Sequence, residues 1–172
     1  MPCINSLGYC MAQDDGLRVQ LAALLKGGNA HMDIDEAVAD FPENGINTTF
    51  PNGTYSAWAL LEHIMLSQKD MLNFMRDADY KEMRWPDDYW PAAARKASRK
   101  DWEATINQIR HDSGELQSIA LDKDTDLNSP VPTDSGKTLL RCMLVIADHN
   151  AYHIGEFAIM RQVMGTWGSS HK

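Results

Sequence analysis

Apolar residues recur every three to four positions along several long stretches of this chain, the pattern of helices that pack by one face. It predicts long helices over 14–26, 56–78, 98–121 and 137–164, with a short helix over 34–40. Segments rich in glycine, proline and asparagine separate them, and no stretch shows the alternation typical of a strand. Four amphipathic helices in one chain predict an all-α fold, namely a four-helix bundle with a short extra helix and long loops.

The same pattern predicts which side of each helix faces the bundle interior. On the first helix the apolar side comprises Leu17, Leu21, Leu24 and Leu25. On the second helix the polar arc comprises Glu62, Lys69, Asn73 and Arg76. Asp33 and Ser56 are suited to be N-caps, and the glycine pair at 27–28 is suited to end the first helix.

The length of 172 residues is typical of one domain. We predict a flexible N-terminal segment over 1–12, a single bundle domain over 13–167 and a tail over 168–172. The three cysteines are odd in number and widely spaced, which argues against a disulfide framework and against a cysteine-only zinc site. Cys142 is expected to be a small core residue.

The charge of the chain excludes some partners. The formal net charge is −8, and no cluster of lysine and arginine interrupts it, which disfavours nucleic-acid backbones and anionic membranes. No apolar run is long enough to span a membrane, and the N-terminus lacks the basic segment and apolar core of a secretory signal. We therefore predict a cytoplasmic protein that acts on a small molecule.

The stretch VIADHNAYHIGEF, residues 145–157, places two histidines inside an otherwise apolar run. On a helical wheel His149, His153 and Glu156 fall within about 60° of one another, in the middle of the apolar stripe. Burying such groups without partners costs about 1–3 kcal/mol each. Two interpretations stay open: a polar core in which each imidazole bonds a carbonyl or carboxylate, and a helical His-x-x-x-His metal site. A zinc-protease motif is excluded because position 150 is asparagine.

A third ligand would have to come from elsewhere in the chain. His31, His111 and His171 lie in a turn, among charged residues and in the tail, so we expect them to be solvated. His63 lies at the border between the apolar and polar sides of the second helix. Its position on the wheel is compatible with a ligand and with a surface residue alike.

Three separated motifs resemble one family. YSAWALLEHIMLSQKDML (55–72), WPDDYWP (85–91) and TLLRCMLVIADHNAYHIGEFAIMRQVMGTW (138–167) resemble the DinB-like proteins, a superfamily of bacterial four-helix bundles. LLKGGNAHMDIDEAVADFP (24–42) is similar to the N-terminal part of one subgroup. The resemblance covers nearly everything from about residue 17 to 167.

The resemblance implies a divalent metal held by His63, His149 and His153, with open positions for water or substrate. It also implies thiol-dependent chemistry, since the characterised members are mostly of that kind, and a homodimer. Imidazole ligands suit zinc or nickel, and iron or manganese are further candidates. The leading hypothesis is a metal-dependent transferase of low-molecular-weight thiols. The alternatives are a metal-dependent hydrolase and a non-catalytic stress-response protein that binds a metal or small molecule.

One residue departs from the family pattern. Glu156 stands where glutamine is common, so a carboxylate there is a candidate further ligand, an orienting partner or a base for proton transfer. Its alternative role is a structural contact to another helix.

Two further surfaces carry hypotheses. Trp85, Tyr89 and Trp90, with Tyr80, are either walls of a substrate pocket or an apolar cover for the end of the bundle. Small residues of the last helix, at Ala147, Ala151 and Ala158, suit either bundle packing or a dimer contact, and Asp148 is expected to be exposed.

Overall fold

The computed structural model describes residues 6–133 and 135–168, with side chains described from residue 14 onward. The helices are α1 (Ser6–Lys26), α2 (Ile34–Val38), α3 (Ala57–Arg76), α4 (Arg99–Leu121) and α5 (Leu139–Met164). Single 3-10 turns lie at Glu43–Gly45 and Asp87–Tyr89, and no strand occurs among the described residues. The predicted all-α fold, with four long helices and one short helix, is confirmed.

The four long helices form a square in which each touches two others. α1 and α3 each pack against α4 and α5, so the order around the bundle is α1, α4, α3, α5. The short helix α2 packs against α5. Because α3 and α5 are neighbours, residues from both can meet along one seam. No helix in the described ranges is both long and apolar enough to cross a membrane.

Local capping signals account for most helix boundaries. Asp33 caps α2 in a reciprocal box with Glu36, and the Ser56 side chain accepts a hydrogen bond from the first turn of α3. Ser98 caps α4 in the same way. Gly27 has a φ of +83°, a left-handed conformation that glycine adopts without strain, and it follows the end of α1. The three N-caps satisfy backbone N–H groups that have no partner within the helix, and the Gly27 N–H donates to carbonyls of the last turn of α1.

The first helix differs from its prediction. It begins at Ser6, before the predicted start at Asp14, because the preceding residues include good helix formers such as leucine, methionine, alanine and glutamine. Part of the predicted flexible segment is therefore helical in its backbone. Residues 1–5, 134 and 169–172 lie outside the described residues, and with them the candidate His171.

The side of α1 that faces the bundle is also rotated from its prediction. Leu21 and Leu25 are buried, but Leu17 and Leu24 are 64% and 45% exposed, so their assignment to the core is wrong. The charged Arg18 is buried instead. Its guanidinium donates to the backbone carbonyls of Ala120, Asp122 and Thr125, at the end of α4. These carbonyls satisfy the charge, which the apolar pattern of α1 alone does not show.

Candidate metal centre

Three histidines meet at the seam between α3 and α5. His63 on α3 places its Nε2 at 3.2 Å from Nε2 of His149 and at 3.2 Å from Nε2 of His153, both on α5. The spacing of four residues puts the two α5 histidines on one face in successive turns. His63, which the sequence left at the border of its helix, is 2% exposed. The tertiary packing of α3 against α5 therefore assembles the triad.

The other nitrogen of each ring has its own partner. Nδ1 of His63 lies 2.9 Å from the Tyr89 carbonyl oxygen, and Nδ1 of His153 lies 2.8 Å from Glu156 Oε2. Nδ1 of His149 lies 3.4 Å from the side-chain oxygen of its neighbour Asn150. Carbonyl and ionised carboxylate oxygens only accept hydrogen bonds, so Nδ1 of His63 and Nδ1 of His153 each carry the proton of a neutral imidazole.

This proton arrangement makes the triad fit a cation. With the protons on Nδ1, the Nε2 atoms of His63 and His153 present lone pairs to each other. Facing lone pairs at 3.2 Å make the space between these nitrogens favourable for a positive centre. Three imidazoles with their second nitrogens hydrogen-bonded are the donor set of metal sites that keep further coordination positions open. The residues present therefore fit a divalent metal ion.

The protonation states agree with that fit. Burial lowers the pKa of His63 and His149 below the ordinary value of 6.5. Burial, followed by the charges of the two neighbouring imidazoles, lowers the pKa of His153 to about 3. At neutral pH all three rings are thus neutral, which is the form that ligates a metal.

Glu156 lies on the outer side of this arrangement. Its Oε2 contacts Nδ1 of His153, whereas Nε2 of that ring faces the other histidines. Desolvation raises the pKa of the Glu156 carboxyl. The contact of Glu156 with Nδ1 of His153 is the one expected if Glu156 orients a metal ligand, which is one of the roles predicted for it.

Aromatic residues of the loop between α3 and α4 cover His63. The Trp90 ring stacks on the His63 ring at 4.1 Å between centroids and 1° between planes, and Trp85 approaches its edge at 6.3 Å. Tyr89 contributes its backbone carbonyl, as described above. The three residues predicted for a substrate pocket therefore lie beside the triad, and Trp85 is 71% exposed.

A cavity of about 570 Å³ lies between α3, α5 and that loop. Tyr80 and Tyr89 line it and donate their hydroxyl hydrogens to the two oxygens of Asp70. Burial and the Asp70 carboxylate raise the pKa of Tyr80 to about 12 and raise the pKa of Tyr89 further. Both phenols are therefore neutral donors at physiological pH. Tyr89 links the cavity to the triad, since its carbonyl holds His63.

The remaining sequence candidates lie elsewhere. His31, His111 and Asp148 are exposed, as expected. Cys142 is buried, which raises the pKa of its thiol, and it lines the cavity from α5.

A comparison with family models identifies the family of this chain. A model of the DinB superfamily matches residues 29–157, three quarters of the chain and all of the triad. The chain belongs to the DinB superfamily. No curated protein matches it. Membership in this metal-binding superfamily agrees with a triad whose nitrogens can hold an ion.

Sequence reasoning missed several residues of this DinB-superfamily site. The Tyr89 carbonyl is a backbone group, so a pattern of side chains does not show it. Asn150 was considered only because its identity excludes a zinc-protease motif. Glu62 is buried rather than part of a solvated polar arc, since it accepts from Thr105 and pairs with Arg95 at 3.6 Å. Backbone acceptors and contacts between helices carry no signal in the order of residues.

Acid should destabilise the metal-free DinB-superfamily protein. The three histidines have lowered folded-state pKa values, so the unfolded chain binds more protons once the pH falls below 6.5. The raised pKa of Glu156 would increase the stability of the folded protein as the pH falls, but this is one group against three histidines that decrease it. We expect the melting temperature in chelator to fall between about pH 7.5 and 5.5. Thermal unfolding of a His149→Gln variant should show a shallower dependence, and an equal slope would contradict the assignment.

Replacing Glu156 with glutamine should weaken metal binding without abolishing it. The amide keeps an oxygen for His153 Nδ1 but loses the charge that raises the basicity of the ring. We expect a fall of about tenfold in zinc affinity, measured by competition with a chromophoric chelator. Glu103→Gln, at an exposed position of α4, is the matched control and should leave the affinity unchanged. A complete loss of binding would instead make Glu156 a direct ligand.

Proposed function

We propose that this chain is a divalent-metal-dependent enzyme that transfers a low-molecular-weight thiol to an electrophilic small molecule. The observation that carries the proposal is the triad itself, with three converging Nε2 atoms and Glu156 turned to the outer side. That geometry supports a site with open positions rather than a closed structural one. Zinc or nickel is the best match to three imidazoles, and iron or manganese is compatible.

A divalent ion held by His63, His149 and His153 supplies Lewis acidity that favours the deprotonated form of a thiol or of water. The chain itself supplies orientation. Glu156 holds the ring of His153, and the Tyr89 carbonyl and the Trp90 ring hold His63. In the transfer the sulfur forms a bond to carbon as the bond to the leaving group breaks. The leaving group takes that electron pair, and the thiol proton passes to solvent.

A cavity that is connected to the triad through Tyr89, but is lined by none of its histidines, supports a small-molecule substrate. Its volume of about 570 Å³ falls within the range of small-molecule sites. Its walls combine the aromatic Phe74 with the tyrosine hydroxyls and with Arg141. A site of this kind can hold an apolar body and orient a polar end.

The test is a panel of thiols, including cysteine and glutathione, with chlorodinitrobenzene as the electrophile. We expect conjugate formation that requires added zinc, nickel or manganese, stops with chelator and is absent from His153→Ala. Nitrophenyl esters without thiol form the second arm. Metal-dependent ester cleavage alone would favour the hydrolase. Metal binding with no turnover in either arm would overturn the enzyme and leave a binding protein.

A homodimer is a further part of the proposal, supported by an exposed stripe on α5. Leu144, Tyr152, Ile159 and Val163 are 43% to 70% exposed, and Gly155 is exposed between them. The exposed Asp148 lies on the same side of α5, so the contact would be centred on the end of the stripe from Tyr152 to Val163. Ala147, on the small-residue face, is buried within its own bundle instead.

The oligomeric state tests this contact. We expect light scattering to give twice the monomer mass, and Tyr152→Glu to give a monomer, because a buried unpaired carboxylate opposes association. Leu121→Glu, an equally apolar exposed position on α4, should remain dimeric. A wild-type monomer would refute the contact.

A further inference from the structure

Two side-chain amides, one fully buried and one half-buried, connect the triad to α4, a helix that supplies no triad histidine. The Gln68 side chain on α3 is fully buried, and its Nε2 donates to the Ile109 carbonyl of α4 at 2.8 Å. Its Oε1 accepts from Nδ2 of Asn150 on α5 at 2.7 Å. Asn150 Oδ1 in turn lies 3.4 Å from Nδ1 of His149.

The direction of every bond in this chain follows from its first member. A peptide carbonyl can only accept, so Gln68 must turn its NH₂ group toward Ile109 and its oxygen toward Asn150. Asn150 must then present its NH₂ group to Gln68 and its own oxygen to His149. A reversed Asn150 amide would bring two oxygens together at 2.7 Å. The α4 backbone thus determines that His149 meets an acceptor.

We propose that Gln68 and Asn150 are positioning residues, which hold the proton of His149 on Nδ1 and leave its Nε2 lone pair for the metal. His63 and His153 have acceptors that need no such help, because a backbone carbonyl and a carboxylate cannot reverse. An asparagine side chain can reverse, so His149 alone needs a second residue to determine its tautomer. The Gln68 side chain is fully buried, which limits the competition of water for its two bonds.

The proposal rests on the triad that underlies the proposed function, but its test needs neither turnover nor metal. Two-bond proton–nitrogen NMR correlations identify the tautomer of each histidine in the metal-free protein at about pH 7.5, above the ordinary histidine pKa. We expect the wild-type His149 to carry its proton on Nδ1. In Gln68→Met the Asn150 amide is free to reverse, so the Nε2-protonated form of His149 should appear while His63 and His153 are unchanged.

A double variant separates this role from a general packing role. In Gln68→Met/Asn150→Asp the carboxylate accepts in either orientation, so the Nδ1–H form of His149 should return. Zinc affinity should fall about tenfold in Gln68→Met and recover at least in part in the double variant. Gln117→Met, at a half-buried position on α4, is the matched control and should change neither quantity.

The outcomes are decisive even where a variant folds poorly. A wild-type His149 that carries its proton on Nε2 overturns the proposal without any variant. An unchanged tautomer in folded Gln68→Met overturns it as well, and Asn150→Leu, which removes the acceptor directly, gives a second route to the same comparison. If His149 does not carry its proton on Nδ1 but the protein still binds metal, the positioning role fails and the proposed function stands. If His149 carries its proton on Nδ1 but no turnover is found, the proposed function fails and the positioning role stands.

Discussion

A His153→Ala variant is expected to lose its metal. The wild-type protein, purified without chelators, should carry about one equivalent of divalent ion per triad, and its melting temperature should rise when zinc or nickel is added. Removing one of three imidazoles should lower the affinity by more than about 100-fold, since loss of an outer partner alone costs 10–100-fold. Elemental analysis and thermal unfolding with and without zinc measure the two quantities.

The matched control is His31→Ala, because that imidazole is exposed in the loop after α1 and belongs to neither group of side chains that could hold a metal. It should bind metal as the wild type does. A His149→Ala/His153→Ala double variant should be no more stable with zinc than without it. If the wild-type protein carries no stoichiometric metal and zinc leaves its melting temperature unchanged, the site hypothesis fails.

Replacing Arg161 with methionine is expected to lower the free energy of unfolding by about 3–5 kcal/mol. Arg161 lies on α5, is 1% exposed, and stacks on the Trp167 ring at 4.0 Å from its centroid. Its guanidinium donates, at 2.6 to 2.8 Å, to the backbone carbonyls of Ala37, Ala39 and Thr166. Methionine fills a similar volume but leaves these acceptors without a donor.

Urea unfolding measures the loss, and Arg76→Met is the control. Arg76 is half exposed and pairs with Glu115 on the surface, where such pairs contribute about 0–1 kcal/mol. Arg161→Lys should recover little stability, because an ammonium cannot reproduce the planar fork that reaches acceptors on both sides. A loss below about 1 kcal/mol for Arg161→Met would show that water replaces the guanidinium.

The helices could be predicted because their signals are local. Apolar residues that recur every three to four positions predict a helix. A serine or aspartate before that pattern predicts its start, and a glycine after it predicts its end, because all these signals act within a few residues. The caps at Asp33 and Ser56 and the left-handed Gly27 follow that logic. The α5 histidines and Glu156 also shared one face by helical geometry alone.

The errors of prediction fall where charged groups are buried by distant partners. Glu62 was placed on a polar arc, yet it is buried and accepts from the Thr105 hydroxyl on α4. Arg18 was assigned no role, yet it is buried and donates to carbonyls at the end of α4 and in the turn that follows. The pattern of polar and apolar residues along the chain does not show which distant groups will form hydrogen bonds with a charged side chain. Arg161 escaped notice for the same reason.

The sequence by itself determined four long helices, a DinB-like fold and two imidazoles on one helical face, because these depend on neighbours within one turn or on a shared ancestral pattern. The resemblance also implied His63 as the third ligand, but only the tertiary structure decided how its Nε2 meets the α5 imidazoles, that Glu156 binds the outer nitrogen of His153, and that Asn150 faces His149. The physical reason is that a hydrogen bond has a direction and a length of about 3 Å. Whether two groups reach that distance and direction depends on how α3, α4 and α5 pack together.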